Sequence, residues 1–150
     1  MSINKAQKGF TLIEILVVIG IIAILAAIVI IAINPAKQFA QARNSQRTAN
    51  VTTLLDGIGQ NIADNKGVFT CANVTITSGA AAAAIGTGGK DLASCLVPTY
   101  IPQMVTDPNG GTAADTKYTV ALDAVGRFTI CAPQGAEAAI PGSAAICVTR

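Results

Sequence analysis

The chain has no histidine and no tryptophan, and only 12% of its 150 residues are charged. Histidine is the commonest general base and the commonest metal ligand, so its absence removes much of enzyme chemistry. The formal net charge is +2, and no basic cluster extends beyond Arg43 and Arg47, so the chain lacks the electrostatic footprint of a nucleic-acid-binding protein. No Ser, Cys or Lys has an identifiable neighbouring base. We therefore expect no enzyme activity, no cofactor, no metal and no nucleic-acid partner.

The shortage of charge is concentrated in one run of the chain. From Ile15 to Ile33 no side chain is polar or charged. As a helix this run would be ~28 Å long, close to the ~30 Å hydrocarbon core of a bilayer. The remaining residues, about 115, suffice for one modest domain with its own core.

The length of the apolar run and the sequence that follows it indicate a retained membrane segment. The apolar run exceeds the 7–15 apolar residues that are typical of a cleaved secretory signal, and no small-residue cleavage site precedes Asn34. A plain signal anchor is the simplest alternative. Lys5 and Lys8 would keep the N-terminus in the cytoplasm and place everything past Asn34 outside.

The four cysteines all follow the apolar run. They form no CxxC pair and there is no histidine to complete a zinc site, so two disulfides in an oxidising compartment are favoured over metal binding or four free thiols. Three pairings are possible. We favour the two local ones because chain neighbours meet at the lowest entropic cost. These are Cys71–Cys95 and Cys131–Cys147.

Glu14 does not fit a plain anchor. It lies one turn into the apolar segment, where a carboxylate is costly, and we expect no partner for it within that segment. It could reach the lipid headgroups, but an intramembrane acid is by default a functional residue. If the chain were cleaved before Phe10, the new α-amino group on a neighbouring copy would supply a counter-charge.

Residues 8–14, with the sequence KGFTLIE, resemble the class III leader junction of type IV pilins and pseudopilins. In that family a prepilin peptidase cleaves at the position of the Gly9–Phe10 bond, on the cytoplasmic side, and then methylates the new N-terminus. The resemblance covers residues 5–34 and is only architectural beyond them. It implies a leader over residues 1–9, a mature terminus at Phe10 and a role for Glu14 in assembly.

The function implied is that of a structural subunit. The precursor would span the inner (cytoplasmic) membrane once, and the mature chain would polymerise with its own copies into an extracellular type IV pilus. Its other partners would be the prepilin peptidase and the pilus assembly machinery. The alternatives are a type II secretion pseudopilin, which a disulfide-bonded head disfavours, and a binding domain that the helix merely tethers.

The expected fold is α+β, with a long N-terminal helix kinked near Pro35 and packed on a small antiparallel sheet. The divisions are a membrane or filament-core helix over 10–34 and a globular head over 35–150. Within the head we expect an amphipathic helix over 36–62, a loop over 63–116 and the sheet over 117–150. The apolar stripe of that helix follows the i, i+3, i+4, i+7 pattern. Its members are Val51, Leu54, Leu55, Ile58 and Ile62.

Three strands are predicted at 118–122, 127–131 and 145–149, the first two joined by a turn that ends in Gly126. A further short strand is predicted at 74–77, and the Ala/Gly-rich stretch 79–89 is predicted to be a surface loop. A single helical turn is expected at 91–96.

The acidic residues of the predicted turns and the two N-x-[ST] triplets have simpler interpretations than a ligand or modification site. Asp107, Asp115 and Asp123 are separated by turn residues, and we expect them to be solvated rather than to bind calcium, which needs six to eight oxygen ligands. Asn50 and Asn73 each begin an N-x-[ST] triplet, a pattern that arises often by chance.

Overall fold

The computed structural model describes residues 9–150, so Lys5, Lys8 and the rest of the expected leader before Gly9 lie outside the described residues. The chain divides into two compact units, the first ending at Gln38 and the second comprising Phe39–Arg150. The expected α+β class is confirmed. The elements are α1 (Leu12–Ile33), α2 (Pro35–Asp64), β1 (Ala83–Ala84), α3 (Ala93–Leu96), β2 (Thr119–Leu122), β3 (Phe128–Ala132), a 3-10 turn (Pro133–Gly135) and β4 (Ile146–Thr149).

Helix α1 is 22 residues long and none of its side chains is buried. It is long and apolar enough to cross a membrane, judged by length and composition. Glu14 is its one charged residue. The helix therefore has no polar face with which to meet water.

The expected kink near Pro35 is an interruption at a single residue. Asn34 has φ 47° and ψ 79°, in the left-handed region, between the end of α1 and the start of α2. Proline disfavours a helical conformation at the preceding residue, and asparagine tolerates the left-handed one. The Asn34 carbonyl and side-chain oxygens accept the backbone N–H of Lys37, at 3.1 and 3.3 Å, and so cap α2.

Helix α2 extends slightly beyond the predicted span 36–62. Four members of its apolar stripe are buried, and the fifth, Ile62, is half-buried against the same core. The helix ends where Lys66 and Gly67 adopt positive φ angles of 58° and 90°. The Gly67 N–H then donates to the Ile62 carbonyl at 2.9 Å, which satisfies one of the last carbonyls of the helix.

The sheet is antiparallel with strand order β1-β2-β3-β4. Its three longer strands confirm the predicted ones, and β2 pairs with β3 from Thr119↔Cys131 to Leu122↔Phe128. Two expectations in the loop 63–116 are wrong. The stretch 79–89 supplies edge strand β1, which alanine's low strand propensity concealed. Residues 74–77 form no strand; their apolar side chains pack on the core instead.

The core of the second unit lies between α2, α3 and the sheet. Tyr118, Val120 and Ile130 of the sheet region and Leu96 of α3 are fully or almost fully buried. Gly57 lets α2 pack closely against Ile101, since a Cβ at position 57 would lie 3.1 Å from a methyl of that residue. All four cysteines are paired, in the two local bridges Cys71–Cys95 and Cys131–Cys147.

Candidate functional site

The N-terminal end of α1 is closed by a reciprocal pair of side chains. Thr11 is the N-cap residue, and its backbone N–H donates to Oε2 of Glu14 at 2.7 Å. The Thr11 hydroxyl donates to the same oxygen at 2.8 Å and accepts the Glu14 N–H at 3.3 Å. This is a capping box, which satisfies two backbone donors that the helix itself cannot.

The capping box corrects the expectation that Glu14 has no partner within the apolar segment. Thr11 holds the carboxylate at the positive end of the helix, where a negative charge is favoured. The signal was present in the sequence, because threonine followed three residues later by glutamate marks such a cap. Within residues 9–150 the hydrogen bonds to this carboxylate all reach Oε2, so Oε1 stays available for a further partner.

The Gly9–Phe10 junction lies immediately before the cap, outside the helix. The Phe10 side chain is 85% exposed, and a Cβ added at Gly9 would meet nothing within 4 Å. The structure therefore brings Gly9, Phe10 and Glu14 together at one end of α1, with the Gly9–Phe10 junction exposed.

The rest of α1 is an unbroken apolar surface. Its large side chains, from Leu12 to Ile33, are each at least half exposed within the chain. Because contiguous apolar surface of this extent is not stable in water, α1 requires lipid or other apolar helices around it.

The second unit contains a buried ionic cluster that sequence reasoning missed. Arg47 has no exposed side-chain surface and binds Asp107 through two bonds, Nε to Oδ2 at 2.7 Å and Nη2 to Oδ1 at 2.9 Å. Its Nη1 also contacts Oε1 of Glu137 at 2.5 Å. Arg43 binds both carboxylate oxygens of Glu137 at 2.7 Å. The expectation that Asp107 is solvated is therefore wrong.

These contacts connect α2 to two separate loops. Asn44 accepts from Arg47 and donates to the Gly135 carbonyl at 3.0 Å, beside Glu137. The Arg43 and Arg47 hydrogen bonds lower the pKa of Glu137 to about 2, and the bond to Asp107 raises the pKa of Arg47. Glu137 is thus ionised and fully engaged at neutral pH, which suits a structural clamp and not proton transfer.

Three other residues considered as possible ligands or modification sites lie in exposed ion pairs or are buried. Asp115 pairs with Lys117 and Asp123 with Arg127 in exposed turns, as expected of solvated residues. Among residues 9–150, no group of three His, Cys, Asp or Glu side chains could hold a metal. The Asn50 amide is buried and donates to the Thr106 carbonyl and the Tyr118 hydroxyl, so it is not accessible for modification.

Comparisons with known proteins agree with the N-terminal geometry. A family model described as a prokaryotic N-terminal methylation motif matches residues 4–33. The chain is 48% identical over 62 residues to a curated fimbrial protein of Moraxella nonliquefaciens. That match covers 41% of the chain and 36% of the relative, so the chain spans about a third of the length of the curated relative it matches. No solved structure matches.

The N-terminal segment therefore carries the prokaryotic methylation motif, and the resemblance to the type IV pilin and pseudopilin family is confirmed there.

Proposed function

We propose that the chain is the precursor of a type IV pilin, a structural subunit that polymerises through its N-terminal helix into an extracellular filament. The observation that carries this proposal is α1 itself. It is a membrane-length helix with no buried side chain, and it begins at a capped carboxylate directly after an accessible Gly9–Phe10 junction. A helix that only tethered a domain would need the length, but neither the carboxylate of Glu14 nor the Gly9–Phe10 boundary.

The first step of the proposal is processing. The prepilin peptidase would remove residues 1–9 and methylate the amine of Phe10. The match of the methylation motif and the exposure of the junction support this step. Removal of Lys5 and Lys8 would also discard the charges that hold the N-terminus in the cytoplasm.

The second step is assembly, in which Glu14 would set the register between copies. Apolar side chains pack in many offsets, whereas an unpaired charge in an apolar filament core is strongly penalised. The open Oε1 of Glu14 is available for the Phe10 amine of a neighbouring copy. Phe10 and Glu14 are also only four residues apart in the chain, so a pair within one chain is the alternative that a test must separate.

The third step concerns location. Before assembly the subunit would lie in the inner membrane, with residues 10–34 across it and the head, residues 35–150, outside the cytoplasm. Two disulfides in the head suit that oxidising side. They, together with the fimbrial name of the relative, favour a pilus over a type II secretion pseudopilin, whose filament stays in the envelope.

The test is the intact mass of subunits from purified filaments. We expect a chain that begins at methylated Phe10. Gly9→Val should leave uncleaved precursor in the membrane, because the peptidase would have to accommodate a side chain where none was present. The matched control Ala6→Val, inside the leader but away from the junction, should be cleaved normally. Filaments built from subunits that retain residues 1–9 would contradict the proposal.

A further inference from the structure

The loop before β2 contains a chemically reactive pair of neighbours, Asn109 and Gly110. The chain turns at residues 108–110, and all three of these residues are exposed. Gly110 has a φ angle of 80°, and a Cβ built on it would meet nothing within 4 Å. The pair therefore lies on the surface of the head, with open space around the glycine.

An asparagine that is followed by glycine reacts with its own main chain. The backbone nitrogen of the glycine bonds to Cγ of the asparagine, the bond from Cγ to the side-chain nitrogen breaks, and ammonia leaves a cyclic succinimide. Water then opens the ring at one of its two carbonyl groups and gives either aspartate or isoaspartate. The reaction needs no oxidant, reductant or enzyme. Glycine favours it because no Cβ crowds the attacking nitrogen.

Hydrogen bonds restrain the neighbours of the reacting atoms but not those atoms themselves. The Asn109 N–H donates to Oδ1 of Asp107 at 2.8 Å, and the Gly111 N–H donates to the Asp107 carbonyl at 3.1 Å. Within residues 9–150, neither the side-chain amide of Asn109 nor the N–H of Gly110 makes a hydrogen bond. No hydrogen bond must therefore be broken before the nitrogen attacks.

The same turn positions a carboxylate of the buried ionic cluster. Asp107 is 3% exposed, and its Oδ1 accepts both the Asn109 N–H and Nη2 of Arg47, the latter at 2.9 Å. A Cβ added at Gly111 would clash with the backbone nitrogen and the carbonyl oxygen of Asp107. The turn is thus too tightly closed against Asp107 to accommodate an additional main-chain atom.

We propose that Asn109 is a site of spontaneous deamidation and that its isoaspartate product weakens the contact between Asp107 and Arg47. In isoaspartate the main chain runs through the former side chain, which inserts a methylene group before residue 110. The lengthened turn cannot keep both the Gly111 bond and the Arg47 bond on Asp107. Ordinary aspartate leaves the main chain unchanged, and its new charge stays in water. The proposal concerns the head alone and does not depend on the proposed filament function.

Asn73 provides a comparison within the same chain. It is also exposed, in a turn where its φ angle is 64°, but the residue that follows it is Val74. Because a β-branched side chain crowds the attacking nitrogen, Asn73 should react more slowly than Asn109 by about tenfold or more.

Peptide mapping of the full chain in detergent tests the reaction. The folded protein is kept for several weeks in mildly alkaline buffer, because the attacking nitrogen must lose its proton. Asparagine, aspartate and isoaspartate are then quantified at positions 109 and 73. We expect conversion at Asn109 well before Asn73. A parallel sample in denaturant gives the rate without the fold, and conversion of Asn109 in that sample alone would overturn the proposal.

Denaturant unfolding of the aged protein tests the consequence. Chains that carry isoaspartate should unfold at a lower denaturant concentration than fresh chains. Asn109→Asp, which adds the charge on a normal main chain, should match the fresh protein. Asn109→Gln forms the ring far more slowly, so when aged in parallel it controls for damage elsewhere.

A variant of the ionic cluster shows whether the turn acts through it. Arg47→Lys keeps the charge but cannot bind both oxygens of Asp107, so its unfolding midpoint should fall less on ageing than that of the unmodified chain. An unchanged midpoint in isoaspartate-containing protein would overturn the proposed consequence. An equal loss in Arg47→Lys would overturn it as well.

Discussion

Helix α1 and the second unit differ in where their apolar side chains lie. In α1 the large apolar side chains are at least half exposed and none is buried. In Phe39–Arg150 the comparable side chains form one core, and three large ones remain mostly exposed. The second unit is complete in itself, whereas α1 becomes stable only among lipids or other helices. In the proposed filament, α1 would therefore supply most of the apolar surface that neighbouring copies share.

The two regions also differ in how they hold a charge. Glu14 is held by a residue three positions away, at the end of a helix. Arg47 is held by Asp107 and Glu137, which are far from it in sequence and come from different loops. Glu14 keeps one carboxylate oxygen for an external partner, whereas Arg47 has no exposed side-chain surface and is bound entirely within the head.

The largest expected effect concerns Glu14. Glu14→Ala should insert and be cleaved normally but form no filaments, because the register of the core is lost. Glu14→Gln should fail similarly, and it is the sharper variant: glutamine still completes a capping box but carries no charge. Filament yield is measured against membrane-inserted subunit.

Two outcomes would revise this view. Normal filament yield from Glu14→Gln would leave Glu14 as a helix cap and remove the ion pair. Conversely, Thr11→Ala keeps the carboxylate but removes its capping partner, and Thr11→Ser is its matched control. If Thr11→Ala abolishes assembly while Glu14→Gln does not, the cap and not the charge is the essential feature.

The second prediction tests whether the head depends on its buried cluster. Arg47→Met should destabilise the head by about 3–5 kcal/mol, because it leaves two carboxylates without their buried partner. The control Arg127→Met removes only an exposed pair with Asp123 and should have a much smaller effect. Denaturant unfolding of the full chain in detergent measures both. Equal effects would show that the cluster is not the clamp proposed.

Local patterns predicted much of this molecule, and the reason is physical. The span of α1 follows from an unbroken apolar run, and the stripe on α2 and the β2–β3 hairpin follow from repeating patterns of residues close in sequence. The cap at Thr11 was equally readable. Strand β1 could not be predicted in this way, because Ala83 and Ala84 form a strand only through their pairing with the edge of β2.

The Arg47 cluster could not be predicted from the sequence for a different reason. Arg43, Arg47 and Asp107 resemble ordinary surface residues until the fold brings α2 against the loop before β2. Their partner Glu137 lies in a loop of weak pattern, after β3. Tertiary packing determines which distant charged residues meet, and no local pattern in a single sequence identifies such pairs.

The third prediction concerns the Cys131–Cys147 bridge, which closes the loop that contains Glu137. Replacing both cysteines by serine should cost about 3 kcal/mol, the value for a loop of roughly 15 residues. Because the arginine clamp restrains the same loop, combining this change with Glu137→Gln should be non-additive. Denaturant unfolding of the two variants and their combination gives the coupling. Strict additivity would mean that bridge and clamp act independently.

The last expected effect is a pH dependence that is confined to acid solution. Bonds from Arg43 and Arg47 lower the pKa of Glu137 from its ordinary 4.5 to about 2. A carboxyl group whose pKa is lower in the folded state stabilises that state above its unfolded pKa, and this stabilisation is lost as the pH falls through the folded pKa. Between pH 4.5 and about 2 the free energy of unfolding should therefore fall, by up to about 1.4 kcal/mol per pH unit from this group.

Other carboxyl groups act in the same direction, so the comparison must isolate Glu137. The pKa of Asp115 is lowered by its hydrogen bonds with Lys117, and that of Asp123 by those from Arg127 and Val125. Glu137→Gln keeps these groups and removes only the titration in the clamp. Its unfolding free energy should be lower than that of the unmodified chain at pH 7, and the difference should shrink steadily below pH 4.5. A constant difference from pH 7 to pH 2 would show that the arginines do not hold Glu137 as an ionised group. The clamp would then stabilise the head by shape and packing alone.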